Sequence, residues 1–456
     1  MTLPPTTPEI PRYSSSSAVA SRSISQGKSV LRTYGFIALV MAGVLVRLLL
    51  VVIADNRLNA PWGGVGDAPA YVLLAQNLAT GKGYAYAGHP TAYRAPVYPF
   101  VLAASMKLFG RHVFEAIRLG QFLMGLLIAY LCASVSGIVF GEKVKKATLI
   151  IALFFPTLIV MTGEILTETS ATLMSAIFLY LLVRFLEKPN WIVLTGLSAI
   201  VGFATLVRFN MALFGFVALG MVLFQQKGLP KWRGAALTIL LPALIISPWL
   251  IRNYIVFHGA LVLSTEGGPT AAMGVLAPQG RALPGDSERL LGALGWLPPA
   301  ELETNNPSRD RLGDEAGLNG QAWKVTFGLW RETGWRLVPL TLEKLSYFWL
   351  STDQLLWTGS FRPVVRAARS AGVLFYWVLL ALGIAGWFKL RALRPELAYI
   401  LLFYAILVTI LHVPFNMNTR LRMPFIDPWL AVLGGAGLLW AAERMEFQFL
   451  RGGHGK

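Results

Sequence analysis

The chain has 456 residues, 55% of them hydrophobic and 14% charged, with a formal net charge of +17. A soluble domain carries about a quarter charged residues, whereas many apolar runs here reach about 18 residues, enough to cross a bilayer as helix. This excludes a soluble globular protein. It also excludes a β-barrel, which needs short alternating segments, and predicts an all-α polytopic membrane protein.

In a soluble chain so basic a balance would suggest nucleic acid. Here many Lys and Arg mark the cytoplasmic ends of helices, and no nucleic-acid partner is expected. Cys132 is the single cysteine and lies in an apolar run, so neither an intrachain disulfide nor a thiolate-metal cluster is available.

Residues 1–33 are rich in Ser, Thr and Pro, with Arg12, Arg22, Lys28 and Arg32, and read as a disordered cytoplasmic tail. They lack the short apolar region and small-residue cleavage site of a signal peptide. The first span is 34–54. It contains Arg47, whose ordinary reading is snorkelling or pairing inside the bundle. Residues 55–112 form a first outer loop. This loop opens on the polar, Gly/Pro-rich stretch Trp62-Gly-Gly-Val-Gly-Asp67-Ala-Pro-Ala-Tyr71 and continues to Arg94-Ala-Pro-Val-Tyr98-Pro99. Asp67–Ala79 reads as a short amphipathic helix with Tyr71, Leu74, Ala75 and Leu78 on one face. Tyr98–Phe109 is apolar but short, and reads as a helix in the membrane interface.

Further spans are expected at 113–140, 147–162, 169–186, 191–207, 211–224 and 234–250, completing an N-terminal module over 34–250. A polar segment over 251–370 reads as an outer-face region with helices; its apolar patch 336–350 fits an interfacial helix or a span. Spans at 371–388, 397–412 and 424–441 follow, then a cytoplasmic tail at 443–456, for about ten spans in all. Every predicted inner turn after the first span carries lysine: Lys143, Lys145 and Lys146, then Lys188, Lys227 and Lys231, then Lys389. That is the expected cytoplasmic bias. No repeat at fixed period appears, nor the inverted symmetry of many transporters.

A second set of charges does not follow that bias. Arg94, Arg118, Arg208, Arg252, Arg420 and Arg422 fall at the outer ends of spans, as do Asp67, Glu164 and Glu168. Arginine donates two parallel hydrogen bonds to phosphate, so a membrane-embedded phosphate is the natural partner. Any one of these arginines is equally well a headgroup anchor; six at one face favour a shared anionic site. Asp67 stands where a helix cap would, yet a carboxylate facing arginines near the bilayer surface also has the features of a general base. Glu164 and Glu168 share a face if the helix has already begun there. One of them pairs with arginine, and Glu168 is preferred as the functional acid. His89, His258 and His412 are also on the outer side. A site could be drawn around His258 and Glu266, but the spacing matches no metal motif. Nucleophile-elbow, Walker and Rossmann patterns are absent.

The order of these motifs resembles the GT-C glycosyltransferases, in particular the bacterial branch related to protein O-mannosyltransferases and lipid A aminoarabinose transferases, of the family 39 type. The matching features are Gly66-Asp67 with Tyr71, Leu78-Ala-Thr-Gly81-Lys-Gly83-Tyr84, Arg94-Ala-Pro-Val-Tyr98-Pro99 and Phe109-Gly110. Glu168 in Leu-Thr-Glu-Thr, Arg208 in Leu-Val-Arg-Phe-Asn, Pro248-Trp249-Leu-Ile-Arg252-Asn253 and Arg420-Leu-Arg422-Met-Pro424 follow. The resemblance covers residues 34–442. It implies a GT-C fold with juxtamembrane helices on the periplasmic side, and a catalytic Asp67 with Glu168 as second acid. It also implies a lipid-phosphate site drawn from Arg94, Arg208, Arg252, Arg420 and Arg422, with Tyr71, Tyr98 and Glu164 beside it. Protein mannosyltransferases often carry an Asp-Glu pair in the first loop, whereas Ala68 follows Asp67 here, which weakens a protein acceptor.

The expected activity is inverting transfer of a hexosyl or pentosyl group from a polyprenyl-phosphate donor to a lipid or glycan hydroxyl. It would run at the periplasmic or extracellular side of the inner (plasma) membrane. No cofactor is required; a divalent metal is compatible with the reading but not obligatory. The competing classes are a flippase for lipid-linked sugars, an oligosaccharide ligase using a diphosphate donor, and a non-catalytic scaffold.

Overall fold

A computed structural model describes residues 16–53, 67–224, 229–276, 286–296, 313–351, 362–415, 417 and 419–452. Trp62–Gly66 lie outside the described residues. Helix dominates throughout, joined by one antiparallel hairpin, β1 (Ala85–Tyr86) and β2 (His89–Pro90).

The helices follow the apolar pattern closely. α1 (Ser16–Ile53) contains the first span. It runs back to Ser16, so the stretch expected to be a disordered tail is helical from that residue on. A helix already nucleated over 34–53 extends upstream at little further cost. α2 (Ala68–Ala79) and α3 (Val97–Phe109) follow, then α4 (Val113–Phe140), α5 (Glu142–Phe154), α6 (Pro156–Gly163), α7 (Glu168–Glu187), α8 (Trp191–Val207), α9 (Leu213–Phe224) and α10 (Lys231–Val256). The described parts of the polar segment include four helices: α11 (Gly267–Leu276), α12 (Asp286–Leu294), α13 (Glu315–Thr333) and α14 (Leu337–Leu350). At 14 residues, α14 rises about 21 Å, short of the roughly 30 Å hydrocarbon core. α15 (Arg362–Leu393), α16 (Pro395–His412) and α17 (Thr419–Gly452) close the chain.

Among the described residues, 6 helices are long and apolar enough to cross a membrane, or 7 if the bent pair α5–α6 is one span. The expected ten is reached only by also counting the shorter apolar helices Thr33–Leu49, Trp191–Val207 and Phe209–Phe224.

The bend between α5 and α6 shows how this bundle handles buried charge. Pro156 has no N–H and holds Phe155 extended, at φ −66° and ψ 111°. The last carbonyls of α5 therefore lose their helical donors. Arg47 of α1, fully buried, supplies donors instead. Its Nη2 donates to the Ala152 carbonyl at 2.7 Å, Nε to Leu153 at 3.0 Å and Nη1 to Leu158 at 3.4 Å. Gly125 leaves the room, since a Cβ there would stand 2.7 Å from Arg47 Nη1. Arg47 thus neither snorkels nor pairs with an acid; it mends a broken helix. Elsewhere, Gly386 and Gly437 let α15 and α17 touch backbone to backbone, and a Cβ on either would collide with the facing main chain.

The short elements sit over the helix ends. Ala68, Tyr71, Val72 and Ala75 of α2 pack against Tyr98 and Leu102 of α3 and against Ile165 and Leu166, between α6 and α7. A second cluster joins Leu74, Tyr84, Tyr86 and Tyr93 to Trp249 and Phe257 around the end of α10. Together these clusters fix α2, which follows Asp67, and the loop that carries Arg94.

Candidate active site

Arg94 is held by its loop before it holds anything else. Tyr84 Oη donates to the carbonyls of Arg94 and Ala95 at 2.9 and 3.2 Å. Arg252, on α10, donates to the Thr91 carbonyl at 2.6 Å and the Tyr84 carbonyl at 2.9 Å, with its guanidinium over the Trp249 and Tyr84 rings. Glu315, buried at the start of α13, accepts from the Ala92 N–H at 2.9 Å and from the Thr265 hydroxyl. The loop is thereby clamped from α10 and α13, and the Arg94 side chain points at the acids.

Asp67 occupies the N-cap position of α2, but its side chain makes no cap hydrogen bond. Its Oδ1 accepts from Arg94 Nη2 at 2.5 Å and its Oδ2 from Arg420 Nη2 at 2.5 Å. Glu168, the first residue of α7 and fully buried, accepts on Oε1 from Arg208 Nη1 at 3.1 Å and from Arg420 Nε. At the other end, Arg94 Nη1 donates to Glu266 Oε1 at 2.8 Å. The six side chains therefore alternate in one row: Glu266, Arg94, Asp67, Arg420, Glu168, Arg208. Three guanidiniums face three carboxylates. Charge-assisted pairs in so enclosed a site are strong and selective for planar anions.

Burial by itself would lift the Asp67 carboxyl, but Arg420 and Arg94 outweigh it and hold the group well below the usual carboxylate range. Tyr71 flanks the row: the Arg94 guanidinium lies 5.4 Å from its ring centroid, and the Tyr98 ring meets it edge-on at 5.3 Å.

Of the residues singled out in the sequence, the structure brings Asp67, Glu168, Arg94, Arg208 and Arg420 together, with Tyr71 and Tyr98 alongside. Glu164 lies behind the row. It ends α6 instead of sharing a helix with Glu168, so the two do not present one face. Burial, opposed by Arg118 and helped by Glu168, pushes the Glu164 carboxyl up to about 7. Tyr98 Oη donates to Gln121 at 3.2 Å, and Gln121 donates to the carbonyls of Thr162 and Glu164, both at 2.8 Å. Arg118 donates to the Gly163 carbonyl at 3.0 Å. These bonds shape the floor under Glu168.

Arg252 and Arg422 do not join the row. Arg252 clamps the Arg94 loop. Arg422, fully buried, donates to the carbonyls of Phe348 and Trp349 at 2.9 and 3.2 Å, at the end of α14, and lies over the Tyr376 ring. Glu266 is the acid that sequence reasoning left out of the site. It precedes Gly267-Gly268-Pro269, a weak signal amid the many charges of that polar segment. His412 is buried between the Val408 carbonyl, 2.7 Å from Nδ1, and Asn210, 3.1 Å from Nε2. Among the described residues no three His, Cys, Asp or Glu side chains group as metal ligands.

Residues 89–251 match the family model for dolichyl-phosphate-mannose-protein mannosyltransferase. No curated protein matches. Among solved structures, the chain is similar to the apo oligosaccharyltransferase of Archaeoglobus fulgidus. The TM-score is 0.53 and the identity 13%, over 93% of this chain and 52% of that one. The oligosaccharyltransferase AglB from the same organism, in complex with an inhibitory peptide and a dolichol-phosphate, gives 0.53 at 12% identity, over 93% and 52%. This chain thus spans about half the length of the oligosaccharyltransferase it matches. ArnT from Cupriavidus metallidurans bound to undecaprenyl phosphate is similar at 15% identity over 89% and 78%, with a TM-score of 0.41, too loose a likeness to carry an argument. The chain thus carries a mannosyltransferase-family match over residues 89–251 and shares its fold with the archaeal oligosaccharyltransferase.

Proposed function

We propose that this chain moves a sugar from a polyprenyl-phosphate donor to a hydroxyl of a lipid or glycan, at the outer (periplasmic or extracellular) face of the plasma membrane. One observation carries the reading: the alternating row of carboxylates and arginines on the ends of apolar helices. Asp67 stands in it between Arg94 and Arg420. A lipid tail suits the surrounding apolar helices, and its phosphate suits the guanidiniums. The outer face is supported by the helices themselves. Glu168 begins α7 and Lys188 follows its other end, as the bias of lysine toward the cytoplasm requires.

The step is a direct displacement. An acceptor hydroxyl gives its proton to Asp67 while its oxygen attacks the anomeric carbon. The bond from that carbon to the phosphate oxygen breaks, and its electron pair leaves on the phosphate. Arg420, Arg94 and Arg208 stabilise the charge that develops there, and the anomeric configuration inverts. At rest Asp67 is a weak base, because two arginines hold its charge. A phosphate that draws on the same arginines loosens that hold and raises its basicity when the donor is in place. Glu168 keeps Arg420 and Arg208 aimed at the leaving group.

A flippase needs charged groups along a path through the spans. Among the described residues, the buried charges there are engaged within the protein: Arg47 and Arg422 bind backbone carbonyls, Arg422 Nε faces Asp427 Oδ1 at 3.7 Å, and Asp427 accepts from Thr157 at 2.6 Å. The deciding experiment uses purified protein in proteoliposomes containing polyprenyl-phosphate and polyprenyl-diphosphate sugars. Acceptor-dependent release of free polyprenyl phosphate is expected from the monophosphate donor. Movement of intact donor across the bilayer without sugar release would overturn the reading.

A further inference from the structure

We infer that Glu266 is a donor-binding residue, the carboxylate that yields Arg94 to the donor's phosphate and takes up a proton as it does so. This rests on the transferase reading above, but on a residue beyond the stretch matched to the mannosyltransferase family, which ends at 251.

The argument begins with charge. Three carboxylates and three guanidiniums leave the row with no net positive charge to offer. A sugar phosphodiester brings one further negative charge into a largely enclosed site. An uncompensated charge there is costly, and groups in such places change protonation instead. One of the three acids must therefore give up its charge when the donor arrives.

Their partners differ. Among the described residues, Asp67 is held by Arg94 and Arg420, and Glu168 by Arg208 and Arg420, whereas Glu266 is held by Arg94 alone. Glu266 is also the most open, with 34% of its side chain exposed against 29% for Asp67 and 0% for Glu168. It is thus the weakest held and the one a solvent proton reaches most easily. Protonating it frees Arg94 Nη1, while Nη2 stays on Asp67. Arg94 Nε, buried and without a hydrogen-bond partner among the described residues, adds a donor on the same guanidinium.

The main chain at Glu266 is fixed, so only the carboxyl needs to turn. The Glu266 N–H donates to Ser264 Oγ at 3.1 Å, and its carbonyl accepts from Thr270 Oγ1 at 2.8 Å. The charged groups that act on the carboxyl are Arg94 from the loop before α3, Asp67 before α2, Arg208 after α8 and Arg420 on α17. From α13, Glu315 binds the adjacent Thr265 and the Ala92 N–H. Burial lifts the Glu266 carboxyl above its ordinary range, with Asp67 adding to the lift and Arg94 opposing it.

The test is direct binding of farnesyl methyl phosphate, a prenyl phosphodiester with one fixed charge, to the full-length protein in detergent across the range from about pH 5 to 8. Because the complex needs the protonated acid, affinity should be highest at low pH. It should fall as pH rises past the free-state pKa of Glu266, by up to about tenfold per pH unit. Glu266→Gln is permanently neutral, and its amide oxygen holds Arg94 no more tightly than the protonated acid does. It should bind at every pH as tightly as wild type does at low pH. Glu266→Asp should keep the slope. A flat wild-type profile, or the same slope in Glu266→Gln, would overturn the inference while leaving the transferase reading intact. No binding at any pH would overturn both.

Discussion

Two populations of buried arginine divide this molecule. In the row, Arg94, Arg208 and Arg420 face carboxylates that come from other segments of the chain. In the frame, Arg47, Arg252 and Arg422 donate to backbone carbonyls: the broken α5–α6 helix, the loop that carries Arg94, and the end of α14; the carboxylate beside Arg422, Asp427 at 3.7 Å, belongs to the same helix as Arg422. The difference is one of exchangeability. A carboxylate side chain can rotate away and let a phosphate take its place on the fork. A carbonyl of a packed helix cannot leave without unfolding its surroundings. On the proposed function the first population is machinery and the second is scaffold, although both stand at comparable positions in the sequence.

Variants of each kind sharpen or break that comparison. Removing Arg420 has the largest expected effect among the arginines, since it serves both Asp67 and Glu168. Arg420→Ala should lower the rate of sugar release by roughly 10²–10³, the usual cost of one donor to a developing oxyanion. Its thermal stability should change much less, because Asp67 and Glu168 each retain another arginine. An Arg420→Ala protein with near-normal turnover would dissolve the distinction.

The frame arginines should behave in the opposite way. Arg47→Ala strands two buried carbonyls, those of Ala152 and Leu153, at about 1–3 kcal/mol for each that stays unsatisfied, while the Leu158 carbonyl keeps the Thr162 hydroxyl. It should lower the melting temperature and yield, while the protein that remains folded keeps its prenyl-phosphate affinity. Gly125→Ala should reproduce that loss by pushing Arg47 aside. Arg252→Ala falls between: it should weaken donor affinity through the Arg94 loop, and do so together with stability. A loss of affinity at full stability would move Arg252 into the machinery.

The smallest effect concerns Glu164. Its carboxyl is raised to about 7 by burial, from an unfolded value near 4.3. A raised carboxyl contributes stability below its unfolded pKa and loses it as pH climbs through the folded value. Melting temperature should therefore fall between about pH 4 and 7 in wild type, and Glu164→Gln should make that slope shallower. An unchanged slope in Glu164→Gln would assign the titration to another group.

Much of this was legible in the chain. Apolar runs separated by lysine-bearing turns gave the helix order, and the helical reading of Asp67–Ala79 matches α2. Asp67, Glu168, Arg94, Arg208 and Arg420 stood out because charge at the end of an apolar helix needs a reason. Position along a helix does not say what a side chain meets across the bundle, however. Arg252 and Arg422 share the sequence context of Arg94 and Arg420 and differ only in the partner that tertiary packing brings to them. Glu266 was hidden for the converse reason: in a polar segment an acid looks ordinary, and only the fold brings it to Arg94. The bend at Pro156 was visible as a proline, but the arginine that answers it lies more than a hundred residues earlier.

The central claim is that Asp67 takes the acceptor's proton within this row. The most direct measurement is single-turnover sugar release from a polyprenyl-phosphate donor by Asp67→Asn beside wild type, with farnesyl methyl phosphate binding measured on the same samples. The predicted result is a rate lower by roughly 10²–10⁴ with the phosphodiester still bound. Release at the wild-type rate would contradict it.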